Sequence, residues 1–202
     1  MALTADRFIR PRSPRLPGPA PYRALALALC LLLAACWGGE RLYAAAESRP
    51  AIAPGDYRMN AEAAGAADAL VRVSLLPDGM TLITPLGEEG DEPDEGDAIT
   101  LGFAPLGTSG DRFVVWVTSI GGEGFSGGAQ IYALMLAERT GFRLLLPRCQ
   151  ETRSWLPSFG VSVTPEVDSL CQLPDRARLE AALTRFAESG REGAIVATLV
   201  PR

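Results

Sequence analysis

The reactive side chains available to this sequence are carboxylates, hydroxyls, arginines and four cysteines, because it contains no histidine. A Ser-His-Asp triad or a Cys-His pair therefore has no base, and histidine-based zinc sites have no ligand. Carboxylates are what remain for acid–base work. Two of them would have to converge about 5–10 Å apart in a cleft to cleave a glycosidic bond. Asp111, Glu123 and Glu138 are the acids beside apolar segments that such an arrangement could draw on.

Three other stretches invite a chemical reading. "GEEGDEPDEGD" (87–97) packs seven acids into eleven residues, an oxygen density that could hold calcium through Asp91, Asp94 and Asp97. The EF-hand template fails there, since Pro93 takes its third position and Gly102 its twelfth, so a solvated acidic loop is the expectation and no metal site is assigned. "GGEGFSG" places Gly122, Gly124 and Gly127 in a G-x-G-x-x-G pattern. That pattern signals dinucleotide binding only when a helix comes next and an acid closes the second strand, and here the next apolar run ends in Arg148 and Cys149. A hairpin or lid loop is expected instead, with no cofactor. "PRCQETRSW" (147–155) gathers Arg148, Arg153 and Trp155, a surface suited to an acidic or sugar-like group. Trp116, Phe113, Phe125 and Phe159 could line a cleft, but aromatics near strands more often fill a core.

The first fifty residues say where these groups work. All 19 basic residues are arginines, and Arg7, Arg10, Arg12, Arg15 and Arg23 precede an uncharged run, "ALALALCLLLAAC" (24–36). Thirteen residues are too few for a permanent membrane span, which needs about 20, and match the apolar segment of an export signal. Beyond it stand 14 basic against 23 acidic residues, a net charge of −9. Such a surface repels phosphate backbones and is not drawn to anionic headgroups, so nucleic acid is excluded as a partner.

The run ends in Leu33, Ala34, Ala35 and Cys36. This "LAAC" resembles the lipobox of bacterial lipoproteins: an aliphatic residue, two small ones, then the cysteine that becomes the first residue after cleavage. The resemblance covers only the signal segment. It implies that Cys36 carries a diacylglycerol and usually a third acyl chain, enough hydrocarbon for stable anchoring. Trp37 stands where an aspartate would, in some bacteria, retain the protein at the inner membrane, so the outer membrane is the expected address. "WGGERLYAAAESRPAIAPGD" (37–56), rich in Gly, Pro and Ala, reads as a flexible tether of roughly 25 Å span. In the oxidising compartment this implies, Cys149 and Cys171 are expected to form a disulfide.

The scaffold for these groups comes after the tether. "LVRVSLL" (70–76), "MTLITPL" (80–86), "DAITLGF" (97–103) and "DRFVVWVTSI" (111–120) read as strands, alternating or rich in β-branched and aromatic residues, with "PDG" as a hairpin turn. The segment 129–147 has helical propensity but carries "ERTG" between two apolar runs, which favours a hairpin. "PDRARLEAALTRFAES" (174–189) is a helix with Leu179, Ala182, Leu183 and Phe186 on one face, opened by Pro174 and Asp175. "GAIVATLV" (193–200) is a last strand. The chain thus reads as a signal (1–35), a lipidated Cys36 with tether (36–56), and one α+β periplasmic domain (57–202). That domain is mainly an antiparallel β-sheet or sandwich carrying a single C-terminal helix at about 175–189. The function expected is a non-catalytic binding or assembly accessory of the envelope. It would be held to the membrane by its lipid and would meet another envelope protein or wall component. The alternative is a carboxylate-based hydrolase acting on wall polymers.

Overall fold

A computed structural model describes residues 37–60, 68–86, 98–152, 154–160, 162–163, 171–189 and 195–202. Twelve strands run through it. They are β1 (Trp37–Gly39), β2 (Gly55–Asn60), β3 (Ala69–Leu75), β4 (Thr81–Leu86), β5 (Ile99–Pro105), β6 (Arg112–Ile120), β7 (Glu123–Gly124), β8 (Gln130–Glu138), β9 (Gly141–Leu145), β10 (Ser162–Val163), β11 (Cys171–Gln172) and β12 (Ile195–Pro201). The helices are a short α1 (Cys149–Thr152) and α2 (Arg176–Glu188).

The expected open sheet or sandwich is a closed barrel. Eight antiparallel strands take the order β8-β9-β12-β2-β3-β4-β5-β6, and β6 pairs back onto β8 from Arg112↔Leu136 to Val117↔Ile131. Closure removes the sheet edges that a sandwich would have to protect. It is possible because β6 finds partners on both sides, β5 on one and β8 on the other. The segment with helical propensity is the β8–β9 hairpin, turning at Arg139 and Thr140.

Two apolar layers lie on either side of the barrel wall. Inside, Tyr57, Val71, Val73, Ile83, Leu101, Phe103, Val115, Val117, Ala133, Met135 and Leu199 fill the interior. Eight strands enclose just enough room for such side chains. Outside, the opposite faces of β6 and β8, with Val114, Trp116, Tyr132 and Leu134, are covered by Trp37, Tyr43 and the stripe Leu179, Ala182, Leu183 and Phe186 of α2. These strands are buried on both faces. Hence "FVVWV" and "IYALML" are continuous apolar runs, whereas β3 alternates, turning Val71 and Val73 inward and Arg72 outward. Helix α2 starts where Asp175 accepts a hydrogen bond from the Arg178 amide at 2.9 Å, the cap expected of an aspartate before a first turn.

Residues 37–56, read from sequence as a tether, are part of the folded unit. Trp37 is 0% and Tyr43 1% exposed. Strand β1 lies antiparallel to the first half of β8, along the edge whose second half belongs to β9. Gln130 fastens the chain just beyond β1: its Oε1 accepts from the amides of Leu42 and Tyr43 at 3.2 and 3.3 Å, and its Nε2 donates to the Tyr43 carbonyl at 2.8 Å. The Tyr132 hydroxyl donates to the Glu40 carbonyl at 2.7 Å. Further on, the Arg49 amide bonds the Phe103 carbonyl, and Ile52 enters the interior of the barrel. Gly, Pro and Ala gave this strap its coil-like composition. Each aromatic ring it buries removes about 150–250 Å² from water, worth roughly 4–6 kcal/mol, which offsets part of the cost of ordering it.

Candidate functional site

Among the described residues, a cluster of chemistry-bearing side chains lies on the outer layer, around Trp37. Its indole Nε1 donates to Thr152 Oγ1 at 3.1 Å, which orients the ring against α1. Trp155 meets the ring edge-on at 5.9 Å between centroids, Phe186 tilts against it at 6.2 Å, and Phe159 extends the stack beyond Trp155 at 5.7 Å. Trp155 sits before the 3-10 turn Leu156–Phe159, whose end at Gly160 takes the left-handed conformation that glycine allows. The disulfide expected between Cys149 and Cys171 is present, with Cα atoms 5.4 Å apart. It ties α1 to β11, and Cys171 pairs directly with Trp37 across the parallel β1–β11 ladder.

Between the Trp155 turn and the C-terminal end of α2 opens a groove of about 310 Å³ lined by Trp155, Arg185, Glu188 and Ser189. Arg185 and Glu188 are exposed and make no ion pair among the described residues. The groove offers an aromatic edge, a guanidinium with several donors, a carboxylate and a hydroxyl. That set suits a polar, hydroxylated or anionic group with one flat apolar face.

A second polar cluster fixes the strap to the other flank of α2. Tyr43 stacks on Trp116 at 4.7 Å, its hydroxyl donates to Glu180 at 2.8 Å, and the Arg176 guanidinium lies 4.3 Å above its ring. Arg176 also holds Glu180 at 2.8 Å and Glu47 at 2.6 Å. Glu47 is held below the usual carboxylate range, chiefly by the Ala44 amide and further by Arg176. Burial, reinforced by Glu180, raises the Tyr43 phenol. Burial also pushes Tyr132 up to about 12, against a lowering hydrogen bond from Leu42. These shifts belong to a clasp built to stay protonated or paired, not to a base poised near neutrality.

The residues singled out from sequence fall in different places. Cys36, Arg153 and the acidic run with Asp91, Asp94 and Asp97 lie outside the described residues. Among the described residues no three of the His, Cys, Asp and Glu side chains cluster as metal ligands. Arg148 is exposed, and its carbonyl accepts from the Thr152 amide and hydroxyl, capping α1. Trp155 does line a groove, but with α2 residues and not with Arg148. Asp111 and Glu138 sit at one end of the barrel, where the Asp111 carbonyl takes the Ala137 amide. Glu123 sits at the other end, beyond a nine-residue strand that spans roughly 30 Å. Glu138 is paired with Arg143 at 2.6 Å. Asp111 is exposed and held below its ordinary range by the Ser109 hydroxyl, the opposite of what a general acid needs. Glu123 therefore shares no cleft with the other two. The glycine motif turns through β7 and a short 3-10 turn into strand β8, so the helix a dinucleotide would need is a strand.

Arg185, Glu188 and Ser189 were not among the residues the sequence pointed to. Nothing in "TRFAES" separates a groove-lining arginine from a solvated helix flank; the proximity of Trp155 comes only from the fold. No protein-family model matches the chain, and neither a curated protein nor a solved structure does.

Proposed function

We propose that this chain is a lipid-anchored protein of the bacterial envelope, acting as a non-catalytic binding or assembly accessory on the periplasmic side, by the lipobox rule at the outer membrane. The observation that carries the reading is the motif Leu33, Ala34, Ala35 and Cys36 at the end of a 13-residue uncharged run led by five arginines. The Cys149–Cys171 disulfide is compatible with an oxidising compartment. The binding half of the proposal draws on the groove at Trp155, Arg185, Glu188 and Ser189, which has the donors and the ring to hold a polar group.

The test is fractionation of cells expressing the wild-type chain and a Cys36→Ser variant. The wild-type chain is expected in the membrane fraction through a high-salt wash and to be released only by detergent. The variant should leave that fraction. Equal membrane retention of both would refute the anchor, and so would wild-type protein recovered in the soluble fraction.

A further inference from the structure

We infer that the outer layer of the barrel lies directly on the bilayer, with the face formed by Trp155, Phe159 and the Arg178–Arg185 flank of α2 in the lipid headgroups. The inference rests on acylation of Cys36 and adds to it the orientation of the molecule and the surroundings of its groove.

The argument is one of chain length. Consecutive Cα atoms are about 3.8 Å apart, so an acylated Cys36 stands one peptide from Trp37. Trp37 is 0% exposed, paired with Tyr132 on one side and Cys171 on the other. No slack separates anchor from fold. A glycerol thioether adds only a few bonds before its ester groups, which puts the base of the headgroup layer within roughly 10 Å of the Trp37 backbone. The headgroup layer is itself about 5–7 Å deep on each side of the bilayer. At that reach the top of the layer lies within about 3–5 Å of the Trp37 backbone, and side chains packed around Trp37 span that distance.

The surroundings of Trp37 are suited to that layer. Trp155 and Phe159 are half-buried and stacked outward from Trp37, and tryptophan favours the membrane–water boundary. Arg178 and Arg185 stand two helical turns apart on one flank of α2, both exposed. Arg178 reaches the Gly160 carbonyl at 3.5 Å, and Arg185 lines the groove. Locally these two arginines offer donors to headgroup phosphates, although the domain as a whole is acidic. Asp175 and Glu188 lie on the same surface and temper that attraction, so the covalent anchor sets the orientation and the face accommodates it. The far wall, β2 and β3, carries instead the ion pairs Asp56–Arg72 and Arg58–Asp68. In this orientation the groove opens at headgroup level, so the group it holds is the polar part of a lipid and not a distant wall strand.

Nitroxide labels on single introduced cysteines test this in the full-length acylated protein, extracted with detergent and returned to phosphatidylethanolamine–phosphatidylglycerol vesicles. Ser158→Cys places the label between Trp155 and Phe159; Arg58→Cys places it on the opposite wall. Relative accessibility to oxygen against a water-soluble nickel chelate should be several-fold higher at 158 than at 58, with 58 like a label in solution. Intact mass on the same sample confirms the acyl groups. If the protein is acylated and both labels read as aqueous, the apposition is wrong and the anchor stands. If 58 is the label in lipid, the orientation is wrong. If the mass shows no acyl groups, both the anchor and this inference fall.

Discussion

Gly102 stands opposite Trp116 in the β5–β6 ladder, and the indole lies flat over the space where a side chain would be. A Cβ at residue 102 would fall 2.1–2.5 Å from ring atoms of Trp116. Gly102→Ala should therefore destabilise the protein by about 2–3 kcal/mol, read as a lower urea midpoint, because the ring is also clamped from above by Tyr43 and cannot retreat. Tyr132 gives a pH prediction. Its folded phenol keeps its proton up to about 12, mainly through burial, while the unfolded phenol loses it near 10. The protonated form is the one the fold favours, so the contribution is intact below about pH 10 and is lost as pH rises towards 12, at most about 3 kcal/mol. Melting temperatures should fall between about pH 10 and 12, and Tyr132→Phe should fall less over the same interval despite starting lower. Little of this was legible beforehand. Trp116 reads as core from its apolar neighbours, but its seat on Gly102 depends on the register of the β5–β6 hairpin, which the residue types of neither strand set.

Among the elements, the strap and the disulfide are where reading the sequence and seeing the fold part most. Helix α2 was legible residue by residue, since a 3.6-residue period needs no partner to be recognised: Leu179, Ala182, Leu183 and Phe186 are the buried stripe that the spacing implies. Residues 37–56 have no period, because their partners are supplied singly by Gln130, Tyr132, Phe103 and α2 rather than by neighbours in the chain. Composition alone then looks like linker. Tyr43→Ala should cost about 3–5 kcal/mol, as for a large buried aromatic, and should expose Trp116, which a red shift in fluorescence would report. A true tether would tolerate the change without loss. For the disulfide, closing a loop of about 22 residues contributes roughly 3 kcal/mol in the chain-entropy picture. A Cys149→Ser and Cys171→Ser double variant should lose about that much and loosen β1, since Cys171 is the ladder partner of Trp37.

The whole molecule is a closed barrel wearing one covered face, and the clue to that face lay in the strands. Runs buried on both sides, β6 and β8, stand against strands that alternate, such as β3, and the contrast marks which part of the wall the helix must cover. Closure itself was not legible, because pairing of β6 with β8 is a statement about two strand edges, and edges have no sequence signature as strong as faces do. Nor was the groove, whose walls come from segments thirty residues apart. Anchoring is the reverse case, resting wholly on a short local motif. The proposed acylation site, Cys36, comes one residue before a buried strand, and both the proposed cellular address and the proposed posture of the barrel depend on its modification. Mass spectrometry of the intact protein extracted from membranes decides the matter. A mature chain beginning at Cys36 is expected, heavier than its sequence by a diacylglyceryl group and, where the third chain is added, one further acyl group. A chain of unmodified mass, or one still carrying residues 1–35, would overturn it.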